Sequence, residues 1–455
     1  MQCLGLFEIV KIIGCDVMRI VLLSGGSGKR LWPLSNDIRS KQFIKVFKNE
    51  DGTYASMVER VYAQVRQALG DVPITIATAE SQVATIRHQL GDVVSMSVEP
   101  CRRDTFPAIA LAAAYLADVE MASLNEMVAI CPIDPYVETD YFAAIQRLAE
   151  LVDERKVNLG LLGIEPTYPS EKYGYILPVS AEEVSIVKEF KEKPTEAKAR
   201  EYISAGALWN GGVFAMRLGH IIERAKELLG TAKHEELLEK YSELPKISFD
   251  YAVVEREDNI LALRYHGEWK DLGTWNTLTE AMDEAVIGEA ILSDTCQDVQ
   301  VINELDMPVL CMGLKDVVVA ASAEGILVTD KAQSSYIKPY VEKIDQPIRF
   351  AETSWGSFRM LDVGADSLTM KVTLLAGNKM KYHSHRHRDE VWVVTRGEGH
   401  TVVDGMEQPV KAGDVITMQA GCRHTIIAET ELELIEVQLG KDISVKDKEV
   451  FVLAE

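Results

Sequence analysis

The chain has 455 residues, with 48 Lys plus Arg against 70 Asp plus Glu and a formal net charge of −22. That length fits two or three domains with real cores, and 47% hydrophobic with 26% charged residues exclude a disordered or fibrous chain. The acidic balance excludes nucleic acid as a partner, because a phosphate backbone needs a basic stripe, but small phosphorylated ligands need only a few local cations.

In chain order, residues 1–17 have an apolar tint that Glu8, Lys11 and Asp16 break well short of a membrane span. No basic start leads into a small-residue cleavage site, so no signal peptide is read. The segment is expected to be a non-essential extension, with Met18 as the true start. Cys3, Cys15, Cys101, Cys131, Cys296, Cys311 and Cys422 are scattered without a CxxC pair, which reads as reduced thiols. The expected location is the cytoplasm, with no membrane partner.

The first clear element is MRIVLLS at 18–24, a buried strand that runs directly into glycines. Up to residue 283 short apolar strands (73–78, 127–130, 159–164) alternate with helical stretches such as 108–117, which Asp104 and Thr105 are placed to cap. This alternation predicts a Rossmann-like α/β domain over 18–283 with a mostly parallel sheet. Residues 284–345 read as a β-rich connector, either solenoid-like or an antiparallel extension of the next domain. From 346 to 440 strand follows strand with turns at roughly ten-residue spacing, which predicts a small all-β barrel or jelly roll. Residues 441–455 form a tail.

The first strand feeds Gly25-Gly26-Ser27-Gly28-Lys29-Arg30. Glycines there let backbone N–H groups approach a phosphate, and the following cations neutralise it. It is not a Walker loop, because Arg30 stands where Ser or Thr follows Gly-Lys, and not a dinucleotide fingerprint, because Leu31 replaces the third glycine. Lys41 in SKQF, Asp134 behind a buried strand, Lys193 behind IVKEFKE and Asp271 in WKDLGTW add charge at strand ends. The carboxyl ends of parallel strands line the ligand crevice of such sheets. An aspartate pair there suits a divalent cation that bridges nucleotide phosphates; ordinary surface charge in loops is the alternative.

Eight motifs occur in order: GGSGKRLWPLS…KQF, EPCRRDTFPAIALAAAYL, PID, YGYI, FKEKP, LWNGGVF, FDYAVVE and WKDLGTW. Together they resemble the mannose-1-phosphate guanylyltransferases of the sugar-nucleotide pyrophosphorylase superfamily across 18–283. The resemblance implies conversion of GTP and mannose 1-phosphate to GDP-mannose and pyrophosphate with Mg²⁺. It implies that Arg30 and Lys41 hold the triphosphate, that Asp134 and Asp271 bind Mg²⁺ and that Lys193 meets the sugar phosphate. Gly174, Glu192 and Asn210 would lie at the sugar, and Gly25, Gly26, Gly28 and Arg103 at the nucleotide. Lys29, Asp104 and Pro135-Tyr136 stand where the family commonly has Thr, Asn and His. UTP or dTTP in place of GTP therefore stays open.

Five of the nine histidines, His383, His385, His387, His400 and His424, fall in the final β block. Strand alternation puts His383 and His385 on one face, where Glu390 and His424 can reach from neighbouring strands. Three imidazoles and a carboxylate suit Zn²⁺, Fe²⁺, Mn²⁺ or Ni²⁺ equally. The spacing is similar to the cupin metal motif. A cupin behind such a transferase resembles the bifunctional proteins in which it is a mannose-6-phosphate isomerase, acting on fructose 6-phosphate and mannose 6-phosphate. Arg388 and the IEVQ run at 435–438 fit that resemblance; His383, Thr425 and Ala428 replace its usual glutamine, arginine and asparagine. The alternative is a non-catalytic module for sugar binding or assembly into a homo-oligomer.

Overall fold

A computed structural model of the protein describes residues 18–25, 29–36, 38–441, 443 and 447–452. The expectations for residues 1–17, Gly26 and Gly28 lie outside the described residues. The chain folds as two units. One takes the described part of residues 1–26 with Phe47–Val83 and Leu90–Leu272; the other takes the described part of 27–46, Ala84–Gln89 and the chain from Gly273 onward.

The first unit is built on a nine-stranded sheet. Arg19–Ser24 lies between Ile74–Ala79 and Met127–Pro132, parallel to both, and Ser95–Glu99 adds a further parallel edge. Leu159–Ile164 and Ile260–Tyr265 form another parallel pair. Leu208–Arg217 runs antiparallel between Met127–Pro132 and Leu159–Ile164, so the sheet is mixed, with its parallel part carrying the glycine loop. These strands are apolar on both faces because helices cover them. The helix Met57–Leu69 starts with a capping box, Ser56 with Glu59, and stops at Gly70. The helix Thr105–Asp118 is capped by Asp104, whose carboxylate accepts from the Thr105 N–H at 2.8 Å. It buries Phe106, Ile109 and Leu116 against Val128, Ile130 and Phe214. Each such side chain contributes about 1.5–3 kcal/mol when fully buried.

In the second unit, Gln297–Asn303 pairs parallel with both Val286–Ile287 and Lys315–Ser322, and Ala290–Leu292 pairs parallel with Val309–Cys311. Parallel rungs joined by short turns are the solenoid-like form of the connector; Gly325–Asp330 closes it antiparallel. Beyond it two antiparallel sheets of six and five strands make the jelly roll, around a core of Val372, Leu374, Trp392, Met418, Ile426 and Leu434. Gly397, at φ +81°, turns the chain where a Cβ would stand 2.1 Å from the Glu431 carbonyl oxygen, so only glycine fits. Among the described residues no helix is long and apolar enough to cross a membrane.

Candidate functional site

The strand Met127–Pro132 delivers Asp134 to its carboxyl end. The next residues, Pro135–Val137, pair antiparallel with Trp269–Asp271, and the register sets Asp271 opposite Pro135. Two aspartates far apart in sequence therefore start from neighbouring backbone positions, both half-buried. Arg60 and Gln64 of the capped helix hold this ladder by donating to the Val137 carbonyl at 2.8 and 2.9 Å. Burial first, then the charge of Asp271 and more weakly that of Asp134, push the Tyr173 phenol well above the ordinary value. Its ring packs edge-on against Trp209 and Trp269, the latter two residues before Asp271.

The Tyr173 carbonyl accepts from the Lys193 N–H at 3.2 Å, at the start of a second cluster. Lys193 has left-handed backbone, φ +46°, and its ammonium pairs with Glu192 at 2.6 Å. Burial pulls the Lys193 pKa down, but the Glu192 contact outweighs this and the net shift is upward. Gly174 has no room for a side chain, since a Cβ would stand 2.5 Å from Glu192 Oε2. The Asn210 N–H donates to the Gly174 carbonyl at 2.8 Å, and its side-chain amide donates to Asp250 Oδ1 at 2.7 Å. Asp250 is pushed up to about 7 by burial of its carboxyl and next by the charge of Glu192. Gly174, Glu192, Lys193 and Asn210, expected at the sugar, are thus one cluster. Asp250 and Tyr173 belong with them and carried no expected role, although FDYAVVE and YGYI contain them.

At the end of the first strand, Ser24 donates to the buried Gln82 at 3.1 Å, and Gly25 follows exposed with open space around its Cα. Arg103 sits half-buried just before the helix Thr105–Asp118. Arg30 is exposed on the one-turn helix Lys29–Leu31 and Lys41 half-buried on Lys41–Phe43, both in the stretch that belongs to the second unit.

In the second unit, His383, His385, Glu390 and His424 offer ligand atoms that all lie within 4.8 Å of one another, each residue being only 2–4% exposed. His383 and His424 face each other across adjacent strands. The Nδ1 atoms of His383 and His424 are 2.6 and 3.0 Å from the Lys381 and Cys422 carbonyls, and His385 Nδ1 bonds the Asp447 carbonyl. Those bonds turn each Nε2 inward, toward Glu390 for His385 and His424. Burial above all drives the His383 pKa down to about 3, so its imidazole is neutral and ready to ligate. Burial would raise Glu390, but His424 and the charges around it hold it at about 2. Buried Glu390 Oε2 and His424 Nε2 lack a well-aligned hydrogen bond, and the donor set fits a divalent transition metal. Arg388 donates to Glu390 at 3.0 Å. His387 is exposed and His400 pairs with Glu429, so neither joins the cluster. Thr425, in the place of an arginine, is fully buried and donates to the Met380 carbonyl at 2.8 Å.

The family model for nucleotidyl transferases matches residues 19–286, and that for cupin domains matches 370–438. The chain is 29% identical to a putative mannose-1-phosphate guanylyltransferase of Vibrio cholerae, over 94% of this chain and 98% of that one. It is 28% identical to a mannose-1-phosphate guanylyltransferase of Escherichia coli, over 94% and 96% respectively. A solved structure of a mannose-1-phosphate geranyltransferase from Thermus thermophilus covers 72% of this chain and 99% of its own, at 30% identity and TM-score 0.62.

Proposed function

The chain belongs to the nucleotidyl transferase family, and from that premise we propose that it is a mannose-1-phosphate guanylyltransferase, joining GTP and mannose 1-phosphate to GDP-mannose and pyrophosphate. The observation that supports this most is the β-ladder that sets Asp271 opposite Pro135, next to Asp134, so that two carboxylates start from neighbouring backbone positions at the end of a parallel strand. A divalent ion needs carboxylates and a sugar phosphate needs a cation and polar acceptors, and the first unit carries both kinds of group, the aspartate pair and the Glu192–Lys193–Asn210 cluster.

The reaction needs no general base, because the sugar phosphate is already an anionic nucleophile. One of its oxygens attacks the α-phosphorus in line, and the bond to the bridging oxygen of the leaving pyrophosphate breaks. Lys193 orients the attacking phosphate, and Glu192 and Asn210 hold the sugar so that this oxygen points at phosphorus. Asp134 and Asp271 would hold Mg²⁺, whose chemistry when bound is to neutralise the phosphate oxygens. On the family resemblance we assign Arg30 and Lys41 to the triphosphate, and Gly25 and Arg103, with Gly26 and Gly28, to the nucleotide. These reactants suit an enzyme of the cytoplasm. The test offers the protein each of GTP, UTP, dTTP and ATP with mannose 1-phosphate or glucose 1-phosphate and follows pyrophosphate. GTP with mannose 1-phosphate should be fastest; release with no pair would overturn the proposal.

For the cupin we propose that His383, His385, Glu390 and His424 hold Zn²⁺, Mn²⁺, Fe²⁺ or Ni²⁺. The buried set with Arg388 beside it favours a second reading, isomerisation of fructose 6-phosphate to mannose 6-phosphate. A coupled assay decides it: fructose 6-phosphate consumption that disappears in His424→Ala supports isomerase activity, and no consumption by the metal-loaded protein rejects it.

A further inference from the structure

The Asn210 amide is clamped at both ends. Its Nδ2 donates to Asp250 Oδ1 at 2.7 Å, and its Oδ1 accepts from the Gly212 N–H at 3.1 Å. The two ends of an asparagine amide have nearly the same shape, so an unclamped one can turn over and present a donor where it presented an acceptor. Here a flip would set Nδ2 against the Gly212 N–H and Oδ1 against the Asp250 carboxylate, two repulsive contacts in place of two bonds. The second N–H of Nδ2 and the second lone pair of Oδ1 therefore keep fixed directions.

Asp250 is itself anchored. It sits in the one-turn helix Phe249–Ala252, whose first N–H donates to Thr105 Oγ1 at 2.8 Å and whose cap Ser248 accepts from the Tyr251 N–H at 3.3 Å. Its carboxyl is buried and feels the like charge of Glu192, both of which disfavour its ionised form. A fold keeps such a carboxyl where its charge or its acceptor atoms are used.

We propose that Asp250 is a positioning residue for sugar selectivity: by locking the Asn210 amide in one orientation, it makes the site discriminate between hexose 1-phosphates that differ in the direction of one hydroxyl. The assignment rests on the guanylyltransferase proposal, which places Asn210 at the sugar. A fixed donor and acceptor reject the epimer that leaves them unpaired, whereas a free amide adapts to either.

The test is steady-state kinetics of the full chain with mannose 1-phosphate and glucose 1-phosphate, with calorimetric binding of mannose 1-phosphate alongside. Asp250→Ala should raise KM for mannose 1-phosphate about tenfold and narrow the mannose-to-glucose ratio of kcat/KM by a similar factor, leaving KM for GTP unchanged. Asp250→Asn keeps an acceptor for Asn210 and should restore most of the selectivity, which a purely structural role would not produce. An unchanged ratio in folded Asp250→Ala, or equal losses toward both sugars and GTP, would overturn the assignment. Calorimetry separates the two proposals. If the wild type neither turns over nor binds either sugar phosphate, the guanylyltransferase proposal fails and this one with it; if it turns over mannose 1-phosphate but selectivity and binding ignore Asp250, this one alone fails.

Discussion

The two candidate metal regions differ in how much of the coordination shell the protein supplies. In the first unit two half-buried aspartates stand side by side on the ends of short strands. In the second, four buried ligands converge within 4.8 Å, with the three imidazoles oriented by backbone carbonyls. Two carboxylates would make only a partial shell for Mg²⁺, one that phosphate oxygens of the reactants would have to complete, so the proposed ion is expected to come and go with substrate. Four buried donors would make a nearly complete shell in low dielectric, so the proposed cupin metal is expected to be resident.

The largest expected effect breaks the first site alone. Asp271→Ala should lower pyrophosphate release at least about a hundredfold, with the melting temperature close to that of the wild type, because the lost carboxylate is half-exposed and the strand pairing stays. Circular dichroism melting beside the rate measurement checks both halves. Next, His424→Ala should abolish the transition metal found by elemental analysis while leaving pyrophosphate release within about twofold, since different ions serve the two sites. Brief chelation sharpens the same contrast: turnover should stop at once and return with Mg²⁺, while the cupin metal survives.

A smaller effect concerns stability and pH. Burial, and next the charge of Glu192, push the Asp250 carboxyl from an ordinary 3.8 up to about 7, so its proton is held more tightly folded than unfolded. Stability is therefore lost as pH rises through that window and is level above it. Asp250→Asn removes the cost and should be more stable than the wild type by on the order of a few kcal/mol at about pH 8, with no gain near about pH 4. A melting difference that is the same at both pH values would contradict the burial of this charge.

Local patterns were the legible part. The run at 73–78 emerges as Ile74–Ala79, and 159–164 as the strand Leu159–Ile164, because apolar runs between turns report burial directly. The convergence of His383, His385, Glu390 and His424 was legible too, since three of the four fall within eight residues whose alternation turns two of them to one side. What stayed hidden depends on pairing over long separations. Nothing in LWNGGVF says that Leu208–Arg217 inserts antiparallel between two earlier strands. Residues 27–46 read as a continuation of the first domain, yet Arg39 forms a bidentate pair with Glu304 and Asn36 donates to Glu324, which ties the segment to the second unit. Asp250 looks like an ordinary acid in a helix's first turn, a favourable place for any carboxylate, and only the fold brings Asn210 to it.

The most direct test of the account is the dependence of GDP-mannose formation on the two aspartates. Asp134→Asn and Asp271→Asn, each assayed with GTP and mannose 1-phosphate across a Mg²⁺ titration, should show depressed rates and a rightward shift of the Mg²⁺ dependence. The double variant should be little worse than either single one, because both changes dismantle one ion site. Wild-type Mg²⁺ dependence in both single variants would contradict the account.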